Sequence, residues 1–295
     1  MVNFYKYLPV SATDESWGLN VLNTGCTHIV AGAAYPYDTH PAHHHFNWEK
    51  GRVLHEFQVI YITRGCGTFE SKNGGKQPIA AGSILLLFPE ERHRYKPDKK
   101  TGWDEYWVGF TGPIANNLLS KKFFTAADPV IPVGYQETLL NLFQEIIDKT
   151  KEEKAGYQPL IAGTVLHLLG TIYSLSQQEK FNGQDVEALV DKARLLFRSN
   201  IGQNISPVDV AHELQISYSR FRKIFKAYTG LAPGQYQIQL KIHKAKELLT
   251  NTKKSVKEIS FELGFEDPAH FSKFFKNLSG TDFSSFREQI RKKYL

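Results

Sequence analysis

Three kinds of hydrophobic pattern succeed one another along the chain. Between Thr27 and Phe110 the apolar runs are short and rich in β-branched and aromatic residues, at positions 28–32, 56–63, 68–71, 81–89 and 105–110. Glycine and proline punctuate them. Arg64-Gly-Cys-Gly67 reads as a turn and Asn73-Gly-Gly75 as a hairpin. Many short strands divided in this way predict a sandwich or barrel. Residues 1 to about 20 show no period and predict an arm or an edge segment.

From residue 136 the spacing becomes helical. Leu139, Leu140, Leu142, Phe143, Ile146 and Ile147 share a wide apolar face over 136–149. Residues 159–177 carry a second such face, with Leu160, Ile161, Val165, Leu166, Leu168, Leu169, Ile172, Tyr173 and Leu175. The charged break at 149–156 predicts an antiparallel pair of helices. Their apolar surface must be buried on the strands, on a second copy of the chain, or on both. Residues 177–184 are polar and without a period, which predicts a linker between a unit over 1–176 and one over 185–295.

The third pattern repeats itself. Ser219-Arg-Phe-Arg-Lys-Ile-Phe-Lys-Ala-Tyr-Thr-Gly230 returns as Ala269-His-Phe-Ser-Lys-Phe-Phe-Lys-Asn-Leu-Ser-Gly280. A self-match of this kind means one supersecondary unit used twice. Each copy reads as a short helix, a turn and a basic helix. Ser206-Pro207 opens the first, and Ser255 with Glu258 in the capping-box place opens the second. Phe221, Ile224 and Phe225 face a core, which leaves Ser219, Arg222, Lys223 and Lys226 outside. Phe271, Phe274 and Phe275 do the same in the second copy, leaving Ala269, His270, Lys273 and Lys276. This is how a helix-turn-helix reads, and two of them suit two stretches of DNA major groove. Asp185 is expected to cap a helix over 185–200, and Pro233 to open a connecting helix that ends near Leu249.

Charge agrees with that reading. From Asp185 onward 19 Lys and Arg face 12 Asp and Glu, whereas the residues before it hold 17 against 18. The net basic charge therefore sits with the repeat, and a basic unit favours a polyanionic partner because bound phosphates release counterions. Cys26 and Cys66 have no metal-type spacing and read as free thiols in a reducing cytoplasm. There is no apolar run of about 18 residues for a membrane span and no signal-peptide pattern. Cytoplasmic localisation is the expectation.

Two sets of motifs resemble a known family. Arg64-Gly-x-Gly67, the strand at 81–89, His93-x-Tyr95 and Trp103-x-x-x-Trp107-Val-x-Phe110 resemble the cupin-type sensor domain of AraC/XylS-family transcriptional regulators, over about residues 28–112. They are particularly similar to the arabinose-responsive sensor of that family. Ala245-x-x-Leu248-Leu249, Ile259-x-x-x-Leu263-Gly-Phe265, His270-Phe271-x-x-x-Phe275-Lys276, Gly280 and Phe286-Arg287 resemble the family's DNA-binding domain. Phe283 departs from the pattern, since the family has proline there, and a slightly different start to the last helix is expected. The resemblance implies an α+β multidomain protein. An N-terminal cupin-like β-barrel with a helical dimerisation hairpin precedes a C-terminal all-α bipartite helix-turn-helix domain.

The resemblance also implies sites. Arg52, His93, Tyr95 and Trp107 match the effector contacts, with Trp107 as the stacking ring and the others as hydrogen-bonding groups. Such a pocket suits a monosaccharide, which has an apolar face and fixed hydroxyls. Trp48, Trp103 and Glu105 are further candidates, and Ala34 replaces a small polar contact. Ser219, Arg222, Lys223, Ala269, His270 and Lys273 fall at base-contacting positions, with Lys226 and Lys276 beside them. For each aromatic the alternative is core packing, and for each basic residue a phosphate contact, which positions without specifying. The implied function is a ligand-responsive DNA-binding transcription regulator, a sugar-sensing activator, and not an enzyme. Its partners would be double-stranded DNA, the sugar, a second copy of the chain and, by resemblance, RNA polymerase. No cofactor or metal is expected. The rival is a metal-dependent cupin enzyme fused to a DNA-binding domain, with His43, His45, Glu49 and His93 as ligands.

Overall fold

The computed structural model describes residues 3–33, 35, 48–181, 185–203 and 205–294. Ala34, His40, His43, His44, His45 and the linker positions 182–184 lie outside them. The chain divides into two compact units, Met1–Asn182 and Gly183–Leu295.

The first unit is built on antiparallel strands. In chain order it contains β1 (Phe4–Tyr7), α1 (Ala12–Glu15), β2 (Asn20–Ile29), β3 (Phe57–Ser71), β4 (Gly75–Ala80), β5 (Ser83–Leu87), β6 (His93–Pro97), β7 (Trp103–Thr111), α2 (Pro113–Ser120), β8 (Val130–Pro132), α3 (Glu137–Glu152) and α4 (Tyr157–Glu179). The main path runs β1-β2-β7-β3-β5-β8, and β4 and β6 pair with the far end of β3. The long β3 thus serves two sheets: up to Gly65 it pairs with β5 and β7, and from Cys66 with β4 and β6. The change of partner occurs at a register shift between Ile62 and Arg64. Gly65 sits there at φ +84°, and a side chain on it would strike the Gly102 carbonyl oxygen. Arg64-Gly-Cys-Gly67 is therefore a bulge that bends a continuous strand, and not the expected turn.

The two faces of the main sheet are buried differently. One face carries Val21, Val59, Tyr61, Val108 and Phe110 beneath the helical pair, where Leu139, Phe143, Ile146, Ile161, Val165, Leu168 and Ile172 pack. Each fully buried aliphatic side chain there contributes about 1.5–3 kcal/mol. The other face carries Ile29, Ile60, Ile62, Leu85 and Trp103, closed over by Phe69, Ile79 and Tyr95. This second face is the interior of the barrel. By length and composition α4 is apolar enough to cross a membrane. Burial of Ile161, Val165, Leu168 and Ile172 on the sheet makes it a core helix. It runs to Glu179, so Gln177, Gln178 and Glu179, expected in the linker, form its last turn.

The second unit is helical: α5 (Val186–Ser199), α6 (Pro207–Glu213), α7 (Tyr218–Thr229), α8 (Pro233–Asn251), α9 (Val256–Glu262), α10 (Pro268–Ser279) and α11 (Phe283–Tyr294). The repeat is visible in its caps. Ser206 and Asp209 exchange side-chain and backbone hydrogen bonds at the start of α6, and Ser255 and Glu258 do so at α9. Gly230 and Gly280 end α7 and α10 in the left-handed region, at φ 77° and 76°. Asp185 stands at the N-cap of α5, but its side chain caps nothing. The departure at Phe283 leaves the helix start in place. Asp282 accepts from the Ser285 amide at 2.9 Å, and the Phe283 ring stacks on Phe275 at 4.0 Å. A carboxylate cap and a core ring do there what Pro233 does at α8.

Candidate effector pocket and nucleic-acid interface

Arg52 is fastened to the barrel by its backbone, which bridges His93 with N–O distances of 2.9 and 3.0 Å. Its side chain then reaches inward. Nε donates to His93 Nε2 at 3.1 Å, and one terminal nitrogen donates to Tyr95 Oη at 2.6 Å and to Gln58 Oε1 at 3.4 Å. Gln58 donates onward to Asn23 Oδ1 at 3.2 Å, and Asn23 donates to Glu56 Oε1 at 2.6 Å. One hydrogen-bond chain thus runs from Glu56 through Asn23, Gln58 and Arg52 to His93 and Tyr95. Because His93 Nε2 accepts, its proton sits on Nδ1 and is donated to the Glu91 carbonyl, 2.9 Å away. Burial, then the Arg52 charge, lowers the His93 pKa from 6.5 to about 3, so the ring is neutral. Burial pushes the Tyr95 hydroxyl up to about 12.

Trp107 packs against the same interior cluster as Tyr95. It stands on β7 opposite Gly25 of β2 and Ile60 of β3, half-buried on the interior face. A side chain at Gly25 would collide with the Trp107 ring and the Phe4 carbonyl. The glycine therefore lets ring and strand approach. Two positions from Trp107 on the same face, Glu105 is 5% exposed. Neither its Oε2 nor the fully buried Trp103 Nε1 completes a well-formed hydrogen bond, although the indole sits close enough to the carboxyl to lower its pKa. Burial raises the Glu105 pKa from 4.5 to about 8, against the lowering effect of the Arg52 charge. The interior thus offers an acid that is protonated near neutrality and, beside it, an indole donor.

Several residues of this cluster escaped the sequence reading. Asn23 and Gln58 are each 3% exposed and look like ordinary strand positions until the register brings them together. Tyr5 and Tyr7 on β1 pair opposite Gly25 and Asn23, on the face that Trp107 shares, and remain 49% and 37% exposed. Burial, then the Glu56 charge, lifts the Tyr7 hydroxyl to about 12. Trp48 borders a cleft of about 750 Å³ with Tyr35, Thr68 and Lys96. Its ring is covered by cations, Lys96 Nζ at 4.0 Å and the Arg94 guanidinium at 4.7 Å. For the metal-enzyme reading, His43 and His45 fall outside the described residues. Both ring nitrogens of His93 are engaged by protein groups. Among the described residues no three His, Cys, Asp or Glu side chains gather as ligands.

In the second unit Phe221, Phe225, Phe271 and Phe275 are fully buried. Ser219, Arg222, Lys223, Lys226, Ala269, His270, Lys273 and Lys276 are all exposed. The first four lie at i, i+3, i+4 and i+7, on one face of α7. His270 is held edge-on against Phe274 at 4.7 Å, so its ring is less free than the lysines. The caps differ between copies. Ser217 caps α7 with a neutral hydroxyl, whereas Asp267 caps α10 with a carboxylate that accepts from the Ala269 amide at 2.8 Å.

Comparison with known proteins gives a consistent picture. A family model described as the AraC-like ligand binding domain matches residues 31–169, and one described as a helix-turn-helix domain matches residues 210–289. The Msm operon regulatory protein of Streptococcus mutans serotype c is 31% identical over 248 residues, 81% of this chain and 86% of that protein. The lactose operon transcription activator of Staphylococcus xylosus is 28% identical over the same shares of each chain. The raffinose operon transcriptional regulatory protein RafR of Pediococcus pentosaceus is 23% identical, over 83% of this chain and 89% of that protein.

Proposed function

Since the chain belongs to the AraC/XylS family of transcriptional regulators, we propose that it is a sugar-sensing activator whose effector lies between the Arg52 cluster and Trp107. The observation that carries this reading is the hydrogen-bond chain from Glu56 to His93 and Tyr95, inside a barrel rimmed by Trp107, Tyr5 and Tyr7. Amide and guanidinium groups already fixed by one another present donors and acceptors at low entropic cost. The aromatic faces take the apolar side of a pyranose. The relatives named for lactose and raffinose operons make mono- and oligosaccharides the first ligands to try.

In the second unit, Ser219, Arg222, Lys223, Ala269, His270 and Lys273 would meet base edges, and Lys226 and Lys276 phosphates. Homodimerisation through α3 and α4, contact with RNA polymerase and action in the cytoplasm belong to the same proposal. Leu160 on α4 is 50% exposed, which supports a further surface meeting that helix. The test is a thermal-shift screen of the full-length protein against pentoses, hexoses, lactose and raffinose. A ligand at 100 times its Kd adds about 2.7 kcal/mol to native stability. No shift with any of these sugars would remove the sugar from the reading.

A further inference from the structure

The helix α8 joins the two helix-turn-helix copies, and one of its faces carries two side chains that attach to different copies. Gln237 donates to the Ile205 carbonyl at 2.6 Å, in the segment leading into α6. One turn later Lys241 holds its ammonium 4.9 Å from the centroid of the Phe265 ring. Phe265 in turn packs on Phe271 and Phe274 of α10, at 4.7 and 6.5 Å. Lys241 is only 6% exposed and makes no hydrogen bond or ion pair among the described residues. Burial lowers its pKa below the ordinary lysine value. Lys241 borders a cleft of about 550 Å³, with Ser206 and Pro207 on one side and Glu266, Asp267 and His270 on the other. Neither acidic side chain pairs with it. A buried amine costs desolvation, so packing alone would be served better by leucine or methionine. The aromatic ring is what answers the charge.

We propose that Lys241 is a positioning residue for bipartite DNA recognition. Through Phe265 it fixes α10 at a set distance from α7, while Gln237 ties the same helix to the first copy. A cation over a ring is a directional contact. A purely apolar contact would hold α10 close without holding it in register. The inference rests on DNA reading by both copies, and its test separates the two.

A duplex is selected from a random pool with the full-length protein, and derivatives receive one, two or three extra base pairs between the two protected stretches. The wild type should lose about tenfold or more in affinity on the first insertion, since two helices in successive major grooves tolerate little change of phase. Lys241→Met keeps the length and removes the charge. It should bind the selected duplex about tenfold more weakly and discriminate among the spacings clearly less than the wild type. Lys241→Arg should restore the wild-type discrimination. An equal loss on every duplex would make the lysine merely structural and overturn the proposal, as would unchanged discrimination. A salt dependence shallower by about one phosphate would make it a phosphate contact and overturn it too. Should Lys241→Met fail to fold by circular dichroism, Phe265→Leu removes the ring and is judged by the same spacing series. A pool that enriches no sequence would sink the DNA reading and this inference together. An enriched duplex with intact spacing discrimination in the variants would sink this inference alone.

Discussion

Glu105→Gln probes the interior of the barrel most directly. The folded carboxyl has its pKa raised from 4.5 to about 8 by burial. The folded state therefore holds this proton more tightly than the unfolded chain. The resulting stability is complete below about pH 4.5 and is lost as pH rises through 8. His93 works in the opposite sense. Its pKa falls from 6.5 to about 3, so its cost is absent above pH 6.5 and grows as pH falls towards 3. The two effects oppose each other between pH 4.5 and 6.5, and only Glu105 acts between 6.5 and 8. At about 1.4 kcal/mol per pH unit, the wild type should lose about 2 kcal/mol over that last window.

Glutamine keeps the shape and cannot ionise, so Glu105→Gln should remove that fall while leaving the acid limb due to His93. The assay is urea unfolding at several pH values, followed by tryptophan fluorescence. All four tryptophans, Trp17, Trp48, Trp103 and Trp107, lie in the first unit, so the signal reports that unit alone. If Glu105→Gln loses stability between pH 6.5 and 8 as steeply as the wild type, the carboxyl is already ionised in the folded barrel. The account of a protonated interior acid is then wrong.

Other outcomes follow from the same geometry. Arg222→Ala should cost about 1–3 kcal/mol on the best site and relax specificity at one base position, with Lys273→Ala costing less. Band shifts on selected and random duplexes check this, and equal losses on both would reduce Arg222 to a phosphate contact. Gly25→Ala should displace Trp107 and detach β1 at a cost of about 1–3 kcal/mol, because its Cβ would meet the indole and the Phe4 carbonyl. Altered tryptophan emission together with a lost sugar response is the expected result, and an unchanged spectrum would count against the close packing.

The helices from α3 onward were legible because local chemistry writes them, whereas α1 (Ala12–Glu15) and α2 (Pro113–Ser120) are too short to show a period and went unread. Ser206-Pro207, Ser255 with Glu258, Gly230 and Gly280 mark ends, and the spacing of the phenylalanines marks the buried face. The strands were less legible where both of their faces are covered. All of β2 except Leu22 and His28 is buried, including Asn20, Asn23, Thr24 and Thr27. No alternation survives there, and only its end near Thr27 looked like a strand. Gly65 misled in another way. A glycine at positive φ serves a turn or a bulge equally well, and only the change of partner strands decides between them. For the pocket, Arg52, His93 and Tyr95 were expected together and are joined by hydrogen bonds. Asn23, Gln58 and Tyr7 were not expected, because register alone brings their elements together and no local pattern reports it.

The repeat shows how one design can be used with unequal strength. In both copies a buried phenylalanine pair fixes the reading helix, so both helices are held equally well. What differs is the field around them. The N-terminus of a helix attracts phosphate through its free amides and its dipole. Ser217 takes the Arg220 amide with a neutral hydroxyl, so it leaves the dipole uncancelled at α7, which adds Arg220, Arg222, Lys223 and Lys226 to it. At α10 the Asp267 carboxylate takes the Ala269 amide for itself, Glu266 stands next to it, and Lys273 and Lys276 are the cations that remain. The second helix therefore starts from a neutralised end with half the basic side chains. That difference in charge is why a lysine lost from α10 should cost less affinity than an arginine lost from α7.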